Sequence, residues 1–176
     1  MRFAPLSLAG VFLISLEPHL DERGFFARAF CEQEFTRHGL PGRFPQCNIS
    51  RNGRRGTLRG MHFQRPPFAE AKVVRCIRGA IFDVVIDLRP DSPTLGKWVG
   101  ATLSAENGCA LFVPEGFAHG FQTLEDDTDV FYHMGREFIP GKGEGLRYND
   151  PAFGISWPVP EALLSERDAS YVDWLG

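Results

Sequence analysis

Apolar runs of four to nine residues recur along this chain, and each is cut off by a turn signal before a helix could complete three turns. Val11 to Leu16, Phe25 to Phe30, Gln46 to Arg51, Lys72 to Ile77, Ala80 to Leu88, Trp98 to Leu103, Cys109 to Val113, His119 to Leu124 and Val130 to His133 read as strands. Asp21-Glu22-Arg23-Gly24, Arg78-Gly79, Pro90-Asp91-Ser92-Pro93, Glu106-Asn107-Gly108 and Glu125-Asp126-Asp127 punctuate them, with turns every eight to twelve residues. Glycine accepts positive φ, proline presets φ, and Asp or Asn bonds its own backbone, so 19 glycines and 13 prolines suit this spacing. Strands this short must stack into a sandwich or small barrel to bury a face. Two helices are expected. Cys31 to His38 has Phe35 as apolar anchor and Gly39 as stop, and Pro160 to Asp168 follows near the end. Without a linker, low-complexity tract or repeat, residues 1–176 read as one domain. Its core would span about 11–158 and its C-terminal helical segment 160–176.

The charge balance, 19 basic against 22 acidic residues for a net −3, carries no global bias toward nucleic acid or an anionic membrane. A few arginines could still bind phosphate locally. Cys31, Cys47, Cys76 and Cys109 form no CxxC pair and read as buried thiols in a reducing compartment. No apolar run reaches membrane length and the N-terminus lacks a signal-peptide pattern, so a cytoplasmic protein is expected.

Polar chemistry concentrates in Gly56-Thr57-Leu58-Arg59-Gly60-Met61-His62-Phe63-Gln64. Period-2 alternation places Leu58, Gly60, His62 and Gln64 on one face, with Thr57, Arg59, Met61 and Phe63 on the other. His62 would then point inward, and a free pKa of about 6.5 suits an imidazole to take a proton from carbon near neutral pH. A single such histidine also fits a core residue bonded to a carbonyl. The second histidine, in Pro114-Glu115-Gly116-Phe117-Ala118-His119-Gly120-Phe121, shifts the balance toward a site.

Asp21-Glu22-Arg23-Gly24-Phe25-Phe26, Leu58-Arg59-Gly60-Met61-His62-Phe63-Gln64, the His119 segment and Asn149-Asp150-Pro151 fall in an order that resembles the dTDP-4-dehydrorhamnose 3,5-epimerases. The likeness runs from about Val11 to Asp168. It implies an all-β, cupin-type jelly roll (a double-stranded β-helix) with a few short helices. It also implies a homodimer with exchanged N-terminal strands, a nucleotide-sugar substrate, and no metal or organic cofactor. Metal-binding cupins usually carry His-x-His, a set broken here by Phe63 and Gln64. A triad of His62, His119 and a distant carboxylate stays open on spacing alone.

The implied reaction inverts carbons beside the ketone of a 4-keto-6-deoxy sugar. It needs a base, an acid on the opposite face, and a donor for the enolate oxygen. By resemblance His62 is the base, Tyr132 the acid, and Asp168 the carboxylate that orients the base. Lys72 is either an edge charge or, by family position, a contact to the enolate oxygen. Arg23 and Arg59 resemble pyrophosphate and nucleotide contacts, a task the guanidinium fork suits. Gln46, Asn48, His119 and Arg167 fall among the family's substrate-binding positions. Arg59 lies on the opposite strand face from His62 under strict alternation, so both reach one ligand only through a twist or a neighbouring subunit.

The chain also departs from the family pattern. Arg28 stands where a glutamate is usual, His133 and Met134 follow Tyr132, Phe138 replaces a stacking tyrosine, and Gly143 replaces a glutamate next to Glu144. These cluster around the expected nucleotide rather than the proton-transfer residues. C3-only or C5-only epimerisation, another nucleotide, a catalytically inactive sugar-nucleotide binder and a metal-dependent oxygenase are the alternatives.

Overall fold

The computed structural model describes residues 1–175; Gly176, the end of the expected C-terminal segment, lies outside the described residues. The strands are β1 (Arg2–Pro5), β2 (Phe12–Ser15), β3 (His19–Asp21), β4 (Gly24–Phe26), β5 (Gln46–Asn52), β6 (Leu58–Phe63), β7 (Lys72–Arg78), β8 (Ala80–Asp87), β9 (Trp98–Ser104), β10 (Ala110–Val113), β11 (Phe117–Thr123), β12 (Thr128–Met134) and β13 (Glu144–Gly145), with helices α1 (Glu32–Arg37) and α2 (Glu166–Ala169). They form a six-stranded sheet in the order β1-β2-β10-β7-β12-β5, a five-stranded sheet in the order β13-β6-β11-β8-β9, and the separate hairpin β3-β4. The fold is the expected all-β, cupin-type jelly roll with few short helices.

Alternation along the strands builds the core. Val74, Cys76, Leu111 and Val130 from one sheet meet Ile81, Val85, Leu103 and Phe121 from the other. Each such side chain taken out of water contributes roughly 1.5–3 kcal/mol. The outer face of the six-stranded sheet packs Ile14, Val73 and Phe112 against Phe35 of α1. The outer face of the five-stranded sheet packs Met61, Val84 and Ile86 against Phe153, Trp157 and Trp174. With packing on both outer faces, the sheets form a rigid frame.

Local structure departs from the sequence reading in several places. The expected strand Phe25 to Phe30 ends at Phe26, and the chain turns so that Phe30 packs beside Phe35 and Phe44. The expected helix Pro160 to Asp168 shrinks to the four residues of α2. Leu163 is held extended instead, donating to Gly56 O at 2.8 Å and accepting from Leu58 N at 2.9 Å. Strands β1, β3 and β13 were not foreseen. Of the four cysteines, all free, only Cys76 is buried; Cys47 is exposed on the outer face of edge strand β5. Helix α1 matches expectation, and Gly39 closes it at φ +72°, with Leu40 N donating to Phe35 O.

The largest correction concerns β6. His119 of β11 pairs with His62 and Phe121 with Arg59, so three steps on β6 answer two on β11. This bulge inserts one residue and resets the alternation, putting Arg59 and His62 on the same face. Gly60 permits it: its φ is +134°, and a Cβ there would lie 2.6 Å from Gly120 Cα. No twist or second subunit is needed for Arg59 and His62 to face one space. Among the described residues no helix is long and apolar enough to cross a membrane.

Candidate active site

At one end of the roll, apolar side chains give way to polar ones around a cavity of about 190 Å³ lined by Asn48, Ser50, Arg59, His62, Lys72, His119 and Tyr132, with Phe121 and Met134. Five strands supply these groups: β5, β6, β7, β11 and β12. Of the residues singled out from sequence, Asn48, Arg59, His62, Lys72, His119 and Tyr132 therefore converge on one space.

His62 Nε2 stands 2.8 Å from Asp168 Oδ1, joining residues 106 apart in sequence. Short α2 performs this placement. Ser165 caps it by accepting from Asp168 N at 3.1 Å, and the tethered Leu163 fixes where the helix starts. Burial would raise the Asp168 carboxyl, but hydrogen bonds from His62, the Gly60 backbone and Ser165 outweigh it and hold the group below its ordinary value. Asp168 is thus a carboxylate at neutral pH. Its side chain is 7% exposed against 37% for His62, so the acid lies behind and the imidazole reaches into open space. Tyr171 braces the ring edge-on at 5.9 Å.

Tyr132 faces the same cavity, and Ser50 Oγ lies 3.3 Å from its hydroxyl. Burial pushes this phenol well above its ordinary value, a shift the Ser50 bond only partly opposes, and Asp83 adds to it. The group remains a protonated O–H throughout the neutral range. Behind it, buried Asn52 donates to Thr128 O at 3.1 Å and accepts from Arg59 Nε at 2.8 Å. That bond and a longer one from Nη2 to Arg51 O at 3.4 Å hold one edge of the Arg59 guanidinium, leaving its remaining N–H groups for a ligand.

Lys72 Nζ lies 3.2 Å from Glu70, both largely buried, and His119 Nε2 lies 2.7 Å from Asp83 Oδ1. Sequence reasoning missed Ser50, Asn52, Glu70 and Asp83. Asp83 did leave a signal: it is a lone acid within the apolar run of β8, Ala80-Ile81-Phe82-Asp83-Val84-Val85-Ile86. An acid there must find a partner or forfeit its charge.

A second cavity, about 150 Å³, shares His62 and Lys72 and adds Glu70, Phe138, Ile139, Glu144 and Arg167. Gln46 shapes its rim, its Oε1 accepting from Phe138 N at 2.9 Å and its Nε2 donating to Asn48 at 3.0 Å. Arg167 donates to Gly143 O at 2.9 Å. The exposed ring of Phe138 offers a flat apolar face beside the polar site. Arg23 and Arg28 lie elsewhere in the chain. Arg23 pairs with Asp21 on the exposed β3-β4 hairpin, and Arg28 pairs with Glu34 of α1 at 2.7 Å.

The arrangement supplies a carboxylate-backed imidazole, a buried phenol and cationic groups around one small space. Such a set can remove a proton from carbon and return one elsewhere. A family model described as dTDP-4-dehydrorhamnose 3,5-epimerase matches residues 5–174. A protein of that name from Sinorhizobium fredii is 47% identical over 171 residues, 97% of this chain and 88% of the relative. Among solved structures, the dTDP-4-dehydrorhamnose 3,5-epimerase of Elizabethkingia anophelis superposes with a TM-score of 0.95 at 37% identity, covering 99% of this chain and 96% of that one. The dTDP-6-deoxy-D-glucose-3,5-epimerase of Legionella pneumophila, solved with dTDP-4-keto-L-rhamnose, gives 0.92 at 35% identity over 98% and 92%.

Proposed function

This chain belongs to the dTDP-4-dehydrorhamnose 3,5-epimerase family, and from that premise we propose that it converts dTDP-4-dehydro-6-deoxyglucose to dTDP-4-dehydrorhamnose. The observation that carries the reading is the His62–Asp168 pair at 2.8 Å opening on the same cavity as the Tyr132 hydroxyl.

His62 removes the proton from C3 or C5, and the electron pair moves through the C3–C4 or C4–C5 bond onto the ketone oxygen as an enolate. With Nε2 engaged by Asp168, Nδ1 is the ring atom left to take that proton. The ionised Asp168 then faces an imidazolium and stabilises it. Lys72 answers the charge growing on oxygen, as a fixed cation does best where water is excluded. Tyr132 gives its proton to the opposite face, the enolate collapses to the ketone, and the carbon is inverted. Arg59 holds diphosphate, and Gln46, Asn48, Phe138 and Arg167 line the approach of the nucleotide.

Incubation with dTDP-4-dehydro-6-deoxyglucose in D2O, read by NMR, tests this directly. Deuterium entering both C3 and C5 with inversion is expected. Entry at one position only would reduce the reading to a mono-epimerase, and none at either would end it.

Arg23 and the β3-β4 hairpin belong to a second part of the proposal. The hairpin exposes Leu20, Phe25 and Phe26, the last at 78%, which supports a homodimer in which it crosses to the partner's cavity. Arg23 would then serve the other chain's phosphate. Free cysteines fit the cytoplasmic location proposed with it. Complementation discriminates: mixed His62→Ala and Arg23→Ala chains should regain activity, because a mixed dimer rebuilds one intact site. Two inactive variants that stay inactive on exchange of subunits would sink the crossing.

A further inference from the structure

Asn149-Asp150-Pro151 carries a buried acid that no step of the reaction uses. Asp150 is 2% exposed, and its carboxyl oxygens accept two backbone N–H groups. Ala152 N donates to Oδ1 at 2.8 Å within the local turn, and Trp174 N donates to Oδ2 at 2.5 Å from the C-terminal strap. Arg147, three residues earlier, donates its backbone N–H to Val172 O at 3.1 Å and its Nη2 to Asp173 Oδ2 at 3.0 Å. Val172, Asp173 and Trp174 are thus gripped in succession by Arg147 and Asp150. The grip has to be polar, because Val172 and Leu175 are exposed and contribute little burial; Trp174 alone packs inward, its ring centroid 5.3 Å from Phe153. The gripping segment is itself fixed to the roll, with Trp98 Nε1 donating to Phe153 O at 3.0 Å and Trp157 Nε1 to Tyr148 O at 2.9 Å.

The strap continues directly from α2, so what it carries is the surroundings of the base. Tyr171 lies between Asp168 and the gripped residues, with its ring 5.9 Å from the His62 ring and 77° to it. Gly145 stands opposite His62 in the β13–β6 register, and a Cβ there would collide with the Tyr171 ring. The tyrosine therefore fills the space that a side chain on β13 would take beside the imidazole. The bond to Asp168 fixes one atom of the His62 ring. Its plane can still rock about that atom and carry Nδ1 off the line of the C–H bond, unless a second surface meets the ring.

We propose that Asp150 is a positioning residue for His62: it clasps the C-terminal strap at Trp174 and, through the strap, holds the Tyr171 ring against the imidazole. The role in turnover rests on the epimerase reading, but the clasp is a property of the free protein. In the wild type, nuclear Overhauser contacts between the His62 and Tyr171 ring protons are expected. Asp150→Asn turns an amide NH2 toward one of the two buried N–H groups and should weaken those contacts; contacts of wild-type strength in the folded variant overturn the proposal whatever the substrate is.

Activity supplies the second readout, with the fold checked by circular dichroism. Misplacing a reacting group by about 1 Å costs up to about 10²-fold, so Tyr171→Ala and Asp150→Asn should each lower kcat about 10-fold or more. KM should stay within a few-fold, since neither residue is among those lining the two cavities. Tyr171→Phe should restore what Tyr171→Ala loses, because the ring and not the hydroxyl meets His62. The double variant should be no slower than about threefold below the slower single one, because both act through one ring; multiplied losses would show independent roles and overturn the proposal. If Asp150→Asn does not fold, Trp174→Pro removes the same N–H with Asp150 untouched and Trp174→Phe keeps it. Loss of kcat and of the ring contacts in the first alone upholds the clasp, and equal behaviour of the two overturns it. Ring contacts that depend on Asp150, in a protein that exchanges no deuterium into the sugar, would uphold the clasp and retire the substrate.

Discussion

Asp168→Asn probes the base without touching the base. In the wild type a 2.8 Å bond joins Asp168 Oδ1 to His62 Nε2, with the acid almost buried and held ionised. When His62 takes a proton from carbon, that carboxylate faces an imidazolium, whereas the amide of Asp168→Asn offers only a neutral acceptor. Hydrogen bonds to charged groups are worth about 1.5–3 kcal/mol against about 0.5–1.5 for neutral ones. The difference, roughly 1–2 kcal/mol, corresponds to about 5–30-fold in rate at 1.36 kcal/mol per decade. The amide can also turn its NH2 toward Nε2, which leaves the ring proton on Nδ1 and no lone pair for the substrate. Together these put the expected loss of kcat at about 10²-fold or more, with KM within a few-fold, measured as initial deuterium entry at C3 and C5. A loss under about threefold would refute the orienting role. Stability supplies an independent check. The folded Asp168 value lies below the ordinary one, so its contribution is fully present above about pH 4 and is lost as pH falls through the folded value. Urea midpoints at pH 6 and pH 3 should therefore fall further in the wild type than in Asp168→Asn.

Tyr132→Phe deletes only the hydroxyl 3.3 Å from Ser50, so deuterium should still enter the sugar while inversion falls by about 10²-fold or more; normal inversion would assign the acid elsewhere. Because burial raises this phenol, wild-type inversion should show no alkaline limb from Tyr132 below pH 10, which a pH–rate profile reads. Gly60→Ala sets a Cβ 2.6 Å from Gly120 Cα at φ +134°, so it should destabilise by roughly 2–5 kcal/mol in urea unfolding, and an unchanged midpoint would show that the bulge is not what needs glycine.

What could be read from sequence followed from local rules. Turn spacing and apolar runs give the β-rich roll, and Phe35 with Gly39 gives α1, because each depends on neighbours in the chain. The faces of β6 could not be read that way. Period-2 alternation separates Arg59 from His62, and only the meeting of Gly60 with Gly120 on another strand admits the extra residue that reunites them. Pro160 to Asp168 failed for a similar reason. Its middle is claimed by Gly56 and Leu58, which outcompete helix formation for the Leu163 backbone. Arg23 and Arg28 meet Asp21 and Glu34 within one chain, so their family positions come from the resemblance and not from this chain's own cavity.

The same logic explains the partners that sequence reasoning missed. A polar group lining a cavity inside a packed roll loses water on its far side, and that loss must be compensated by a hydrogen bond or an opposite charge. Every reactive side chain here has such a backing: Asp168 behind His62, Asp83 behind His119, Glu70 beside Lys72, Ser50 at Tyr132 and Asn52 at Arg59. The first two span 106 and 36 residues, and the Tyr132–Ser50 contact spans 82. A motif reveals the group that meets the substrate, because chemistry restricts its type. The backing group is restricted only by geometry, so several residue types on several strands could fill the role, and only the folded register selects among them.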